Sequence, residues 1–167
     1  ILTDNLPYYL GLYNTWSSYG VESEGVFIAY TSVYGNTKKA AELLRDALTE
    51  AGCPKVAIAD LAREDMTECV EAAFRYGKIV LATTTYNGGI FPFMKTFIEE
   101  LTERNYQNRT IGILENGTWA ATAARVIKGM FEKSKNITFI DPVVSVKSAV
   151  KEDNIAQIGL LAEELVK

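Results

Sequence analysis

Three short stretches of this chain carry hydroxyls, side-chain amides, glycines and flat rings where a phosphorylated, planar ligand would need them. The first is Thr31-Ser32-Val33-Tyr34-Gly35-Asn36-Thr37. It follows the apolar run Val26-Phe27-Ile28-Ala29-Tyr30 and passes directly into a long amphipathic pattern. That order predicts a buried strand, a tight turn and a helix N-terminus. The first turn of a helix holds N–H groups without partners and the positive end of the macrodipole, so an anion is its natural occupant, most often a phosphate. Thr31, Ser32 and Thr37 add neutral hydroxyl donors.

The second stretch runs from Thr84 through Thr85, Tyr86, Asn87, Gly88, Gly89 and Ile90 to Phe91, and the third from Asn116 through Gly117 and Thr118 to Trp119. Both are neutral and contain glycine and aromatic residues, a composition that suits stacking and backbone hydrogen bonds to a polar heterocycle. Gly88-Gly89 lets one peptide unit adopt either orientation at little steric cost. Such a unit can turn its C=O or its N–H toward a ring nitrogen and so distinguish two redox states. The plain alternatives are a turn with no further role for the glycines and core packing for each ring taken alone, Trp119 included. Together the three loops describe the site of a phosphorylated aromatic cofactor.

Composition narrows the chemistry. The chain has 167 residues, 48% apolar and 23% charged, which fits one globular domain. Its net charge of -4 argues against a nucleic-acid surface. No apolar stretch reaches the roughly 18–20 residues that span a bilayer. There is no histidine, which removes the commonest general base and the commonest transition-metal ligand and excludes a Ser-His or Cys-His mechanism within the chain. Cys53 and Cys69 lack metal-like spacing and read as reduced, packed thiols of a cytoplasmic protein. The chain opens on Ile rather than Met, which suggests a piece of something longer.

The elements that would position the three loops alternate regularly. Strands are expected over Val26–Tyr30, Lys55–Asp60, Lys78–Thr83 and Thr110–Glu115, with a fifth inside Thr138–Val146. Helices are expected over 37–51, from about Thr67 with Gly77 ending it, from Pro92, from Ala120 and over Glu152–Val166. Such alternation predicts a doubly wound α/β fold: a five-stranded parallel sheet with helices on both faces and ligands beyond the carboxyl ends of the strands. Residues 1–24 stand apart. Leu6, Tyr9, Leu10, Tyr13 and Trp16 recur at helical spacing, and Ser17–Glu24 reads as a linker. This segment is either a helix packed on the domain or the exit helix and linker of a missing upstream domain.

The Gly35-Asn36-Thr37 loop resembles the phosphate loop of flavodoxins. More closely, the segments Ser32–Thr37, Thr84–Pro92 and Glu115–Ala120 resemble the three flavin loops of flavodiiron proteins, and Tyr9–Tyr19 resembles the linker that follows their metallo-β-lactamase-like domain. The resemblance covers essentially the whole chain. It implies a flavodoxin-like domain over 25–167 with strand order 2-1-3-4-5 and FMN as cofactor. FMN phosphate would lie at Ser32, Tyr34, Gly35, Asn36 and Thr37, and the ring between Thr84, Thr85, Tyr86, Asn87 and Gly88 on one side and Asn116, Gly117 and Trp119 on the other, with Thr31, Val33, Gly89, Phe91, Glu115 and Thr118 also among the cofactor-binding residues. It implies electron relay from a donor such as a rubredoxin or a reductase to a diiron domain of the parent protein, itself a homodimer or tetramer. A chain without histidine cannot hold that diiron centre, so reduction of oxygen or nitric oxide is not expected of it alone.

A free-standing flavodoxin or FMN-dependent reductase fits the loops equally well but not residues 1–24. A phosphoacceptor signalling domain needs an aspartate where the third strand ends in Thr83-Thr84-Thr85. Nucleotide hydrolases and dinucleotide binders need glycine patterns that this first loop lacks.

Overall fold

The computed structural model describes residues 4–167; residues 1–3 of the expected linker segment lie outside the described residues. Its strands are β1 (Ser23–Tyr30), β2 (Val56–Asp60), β3 (Tyr76–Tyr86), β4 (Gly89–Ile90), β5 (Arg109–Asn116), β6 (Ile137–Phe139) and β7 (Val144–Val146). Its helices are α1 (Leu6–Ser17), α2 (Asn36–Glu50), α3 (Met66–Arg75), α4 (Pro92–Glu103), α5 (Ala123–Met130) and α6 (Glu152–Val166). Among the described residues the sheet runs β2-β1-β3-β5-β6, with β7 also paired to β5 and β4 folded back on β3. Every pairing is parallel except the β3–β4 hairpin. This is the expected order, with β6 and β7 sharing the place of the fifth strand. Pro142 lies between them and has no N–H to give a ladder.

Side chains on a strand alternate between faces, so each central strand feeds two cores. Phe27, Ile79, Leu81, Ile111 and Ile113 pack under α3, α4 and α5 with Phe97 and Tyr106. Val26, Ile28, Val80, Ala82 and Leu114 pack under α2 and α6 with Leu44, Leu48 and Leu161. Each Val, Leu, Ile or Phe among them contributes roughly 1.5–3 kcal/mol on burial.

Two boundaries depart from the sequence expectation. Gly77 does not end α3; it lies inside β3, which begins at Tyr76. Tyr76 is buried and stacks on Phe27 at 6.5 Å, and its pairing with Ser23 carries both strands further down the sheet. Helix α5 starts at Ala123, not Ala120, because Thr122 N donates to Thr85 Oγ1 at 3.1 Å and holds the preceding residues as a loop.

Helix α1 buries none of its residues. Leu6, Tyr8, Tyr9, Leu10, Tyr13 and Trp16 remain 41–64% exposed. The turn that follows it is nonetheless fastened to the lower end of the sheet. Trp16 Nε1 donates to Glu22 Oε2 at 2.8 Å, and Arg75 Nε lies 3.4 Å from Glu22 Oε1. Arg109, at the start of β5 and 3% exposed, donates to the carbonyls of Tyr19 (2.7 Å), Gly20 (2.9 Å) and Phe74 (2.6 Å). It also donates to those of Gln107 and Asn108. Among the described residues it makes no ion pair; burial, the largest influence on it, lowers its pKa. A buried cation is thus solvated by main-chain dipoles, with the Tyr106 ring 5.9 Å from the guanidinium. Removing it leaves those carbonyls without a donor. Arg109→Met is expected to cost about 3 kcal/mol of unfolding free energy in urea and to open residues 17–22 to limited proteolysis. An unchanged urea midpoint would show that the carbonyls find water instead.

Candidate functional site

The parallel register brings the carboxyl ends of β1, β3, β5 and β7 to one edge of the sheet. There they enclose a cavity of about 290 Å³. The first loop contributes Ser32, Val33, Tyr34, Asn36 and Thr37 to its lining. Gly35 stands at the N-cap of α2 with φ 87°, where a side chain would be strained, and its N–H donates to Ser32 Oγ at 3.1 Å. No side chain caps α2, so the head of a 15-residue helix faces the cavity with its orphan donors. Thr37, 1% exposed, has a hydroxyl with no hydrogen-bond partner. Thr31 is placed differently. Its N–H donates to Ala82 O at 2.9 Å and its hydroxyl pairs with Thr83 Oγ1 at 2.7 Å. It ties the ends of β1 and β3 together beneath the cavity and does not line it.

The second loop is a two-residue hairpin. Tyr86 pairs with Gly89, and Asn87 (φ 48°) and Gly88 (φ 73°) both take left-handed conformations, as a tight β-hairpin of native twist requires. Asn87, Gly88 and Gly89 shape the turn outside the lining, whereas Thr84, Thr85, Tyr86 and Phe91 line it. Tyr86 and Phe91 meet edge to face at 5.5 Å, and Phe91 is the N-cap from which Pro92 starts α4. The buried Thr84 hydroxyl is also without a partner.

The third loop contributes Asn116, Gly117 and Thr118. Trp119 stands 98% exposed outside the lining. Glu115 is 6% exposed and turned away from the cavity: its Oε2 accepts from Ala124 N and its Oε1 from Ser145 Oγ, both at 2.8 Å. It caps the first turn of α5, where a carboxylate is stabilised by the helix end. Sequence reasoning missed Ser148, which lines the cavity from the segment after β7. The topology itself was the available signal, because the fifth strand also has a carboxyl end on that edge.

No Asp, Glu, Lys, Arg or Cys lines the cavity. The buried groups with displaced pKa values lie elsewhere. Burial pushes Tyr30 up to about 12, helped by Asp60. Burial, then the carboxylates of Glu64 and Asp65, pushes Cys69 up to about 11, which keeps that thiol protonated and unreactive. The site can therefore bind and orient, but it offers no acid–base or nucleophilic pair.

A family model described as a flavodoxin domain matches residues 27–141. The chain belongs to the flavodoxin-domain family. This flavodoxin domain is 25% identical over 122 residues to the anaerobic nitric oxide reductase flavorubredoxin of Escherichia coli, a match that covers 72% of this chain and 25% of that protein. The chain thus spans about a quarter of the length of the curated relatives it matches. Among solved structures, rubredoxin oxygen:oxidoreductase from Desulfovibrio gigas aligns with a TM-score of 0.88 at 18% identity, over 98% of this chain and 40% of that one. The flavodiiron protein from Giardia intestinalis aligns with a TM-score of 0.80 at 18% identity, over 97% and 40%. A flavodoxin from the domain Archaea aligns with a TM-score of 0.72 at 19% identity, over 84% of this chain and 95% of that one.

Glu115 separates the structural from the binding role within the third loop of this flavodoxin domain. Glu115→Ala removes an acceptor from both the Ala124 amide and the Ser145 hydroxyl. It is expected to cost about 2 kcal/mol in thermal or chemical unfolding, with Glu115→Gln losing roughly half as much. Equal stability of Glu115→Ala and the wild type would show that the carboxylate is not the α5 cap.

Proposed function

We propose that this chain binds FMN and serves as the electron-relaying domain of a flavodiiron-type protein. The observation that carries the FMN reading is the pairing of an uncapped α2 with the unpartnered, buried Thr37 hydroxyl. A donor in that position costs free energy until an acceptor arrives, and a phosphate at a helix N-terminus supplies one. The rest of the cavity is neutral and aromatic, which suits a flat polar ring beside Tyr86 and Phe91. Ser32, Asn36 and Thr37 would hold the phosphate; Thr84, Thr85, Tyr86, Gly117 and Thr118 would border the ring. Bound FMN would supply the redox chemistry. The chain's own residues would fix its orientation, shield one edge from water and anchor its charge with dipoles rather than with Arg or Lys.

Residues 1–24 would be the connection from an upstream metallo-β-lactamase-like domain carrying the diiron centre. Two observations support this. The flavodiiron structures align over 97–98% of the chain and the archaeal flavodoxin over 84%. The stretch that makes up the difference matches the N-terminal segment in size. Helix α1 also buries none of its apolar residues here, and an exposed run of that kind marks a contact surface. The electron donor would be a rubredoxin or a reductase, the parent a cytoplasmic homodimer or tetramer, and oxygen or nitric oxide the final acceptor at the diiron centre. A free-standing flavodoxin is the second reading, favoured by the archaeal protein's 95% coverage.

Titration with FMN and riboflavin, followed by flavin fluorescence, tests the cofactor. The wild type should bind FMN more tightly than riboflavin. Thr37→Val should weaken FMN about ten- to a hundredfold, as loss of one hydrogen bond to a charged group predicts, and leave riboflavin nearly unchanged. Equal losses for both ligands would remove the phosphate from this loop.

A further inference from the structure

We infer that Ser148, in the segment between β7 and α6, is a ligand-contacting residue that pairs with Thr118 to recognise the ring end of the flavin. This rests on the FMN reading above. It adds a fourth loop to the three that the sequence motifs single out.

Ser148 lines the same cavity as the first three loops. Its backbone is left-handed, with φ 67°, a conformation that disfavours residues other than Gly, Asn and Asp. It is held there by one side chain. Asn116 Nδ2 donates to Ser148 O at 3.0 Å, and Ser148 N donates to Asn116 Oδ1 at 3.1 Å. Both ends of the Asn116 amide are thereby engaged with the next loop, which makes Asn116 a positioning residue. Gly117 N donates to Val146 O at 3.0 Å and closes the same seam. These bonds tie the two loops together, and the left-handed backbone at position 148 is held by its neighbour Asn116.

That arrangement places Ser148 Oγ 3.0 Å from Thr118 Oγ1. In such a pair one hydroxyl donates to the other, and the receiving hydroxyl keeps its own proton to donate outward. Both oxygens retain acceptor capacity. The pair can therefore answer either polarity on a ligand edge, and the pyrimidine edge of a flavin alternates C=O acceptors with an N–H donor.

The sheet order says which end of the ligand this is. The head of α2 follows β1, whereas Ser148 follows β7, three strand steps away across β3 and β5. At about 4.8 Å per step that is roughly 14 Å. It is the reach of a molecule that carries a phosphate at one end and a ring system at the other. With the phosphate at α2, Ser148 meets the ring.

Ser148→Ala removes the hydroxyl and leaves the backbone bonds to Asn116 in place. Ser148→Gly removes it and relieves the left-handed strain as well. FMN and riboflavin affinities, measured by fluorescence titration on the full chain, should both fall by the same factor, about three- to tenfold for one neutral hydrogen bond. The apo-protein's thermal midpoint should hold for Ser148→Ala and hold or rise for Ser148→Gly. Wild-type affinity for both ligands in both variants would overturn the inference while leaving the FMN reading intact. So would a loss confined to FMN, because it would put Ser148 at the phosphate. Uptake of neither flavin by the wild type would overturn both readings.

Discussion

In a parallel sheet every strand points the same way, so all carboxyl ends, and the loops that leave them, collect along one edge. Here the register is tight enough to put Tyr30, Ala82, Leu114 and Val144 in one row. The chain beyond that row, on β1, β3, β5 and β7 alike, therefore rises on the same side and forms a single rim. The Thr31–Thr83 hydroxyl pair locks two of those strand ends where their ladder stops. Slide any of these strands by one residue and its side chains exchange faces. Val80 and Ala82 would leave the α2–α6 core for the α3–α4 core, and the rim would be lost with them. Packing beneath the sheet thus enforces the geometry above it.

The strands and helices were legible because each announces itself locally. Near-continuous apolar runs marked β1, β3 and β5, 3.6-residue periodicity marked α2 and α6, and Pro92 marked the start of α4. The site was legible in its first two loops for the same reason: hydroxyls, glycines and rings stand in them without interruption. It was less so in the third and fourth. Glu115 and Asn116 are adjacent polar residues at a strand end, and nothing in their types tells which will turn to the cavity. One turns down to cap α5 at Ala124 and to meet Ser145, the other sideways to hold Ser148, and two of these three partners lie about thirty residues away in sequence. Ser148 lies in Lys147-Ser148-Ala149-Val150, where neither glycine nor ring draws attention. The late start of α5 likewise follows from a tertiary partner, Thr85, and not from local propensity.

The cavity's neutrality has a physical logic. A Lys or Arg in the first loop would bind any anion through charge, with a reach set by ionic strength. A helix head and a hydroxyl act only at hydrogen-bonding distance, so they select by shape. The same economy governs Glu115, a carboxylate beside the rim. Both its oxygens are occupied by protein donors, and its charge lies against the amino end of α5 rather than facing the cavity.

Arg109 has a consequence for how this chain tolerates change. All five of its acceptors are main-chain oxygens, which every residue type carries. The side chains of Tyr19, Gln107 and Asn108 contribute none of the acceptors. Substitutions in the connecting turn can therefore accumulate without loosening its attachment, so long as the backbone path is kept. The information for this part of the attachment, which stands beside the Trp16–Glu22–Arg75 contacts, sits at one position, 109, far from the turn in sequence. A guanidinium also keeps its proton across any pH at which the protein would work, so the Arg109 contacts answer to the backbone path and hardly at all to acidity.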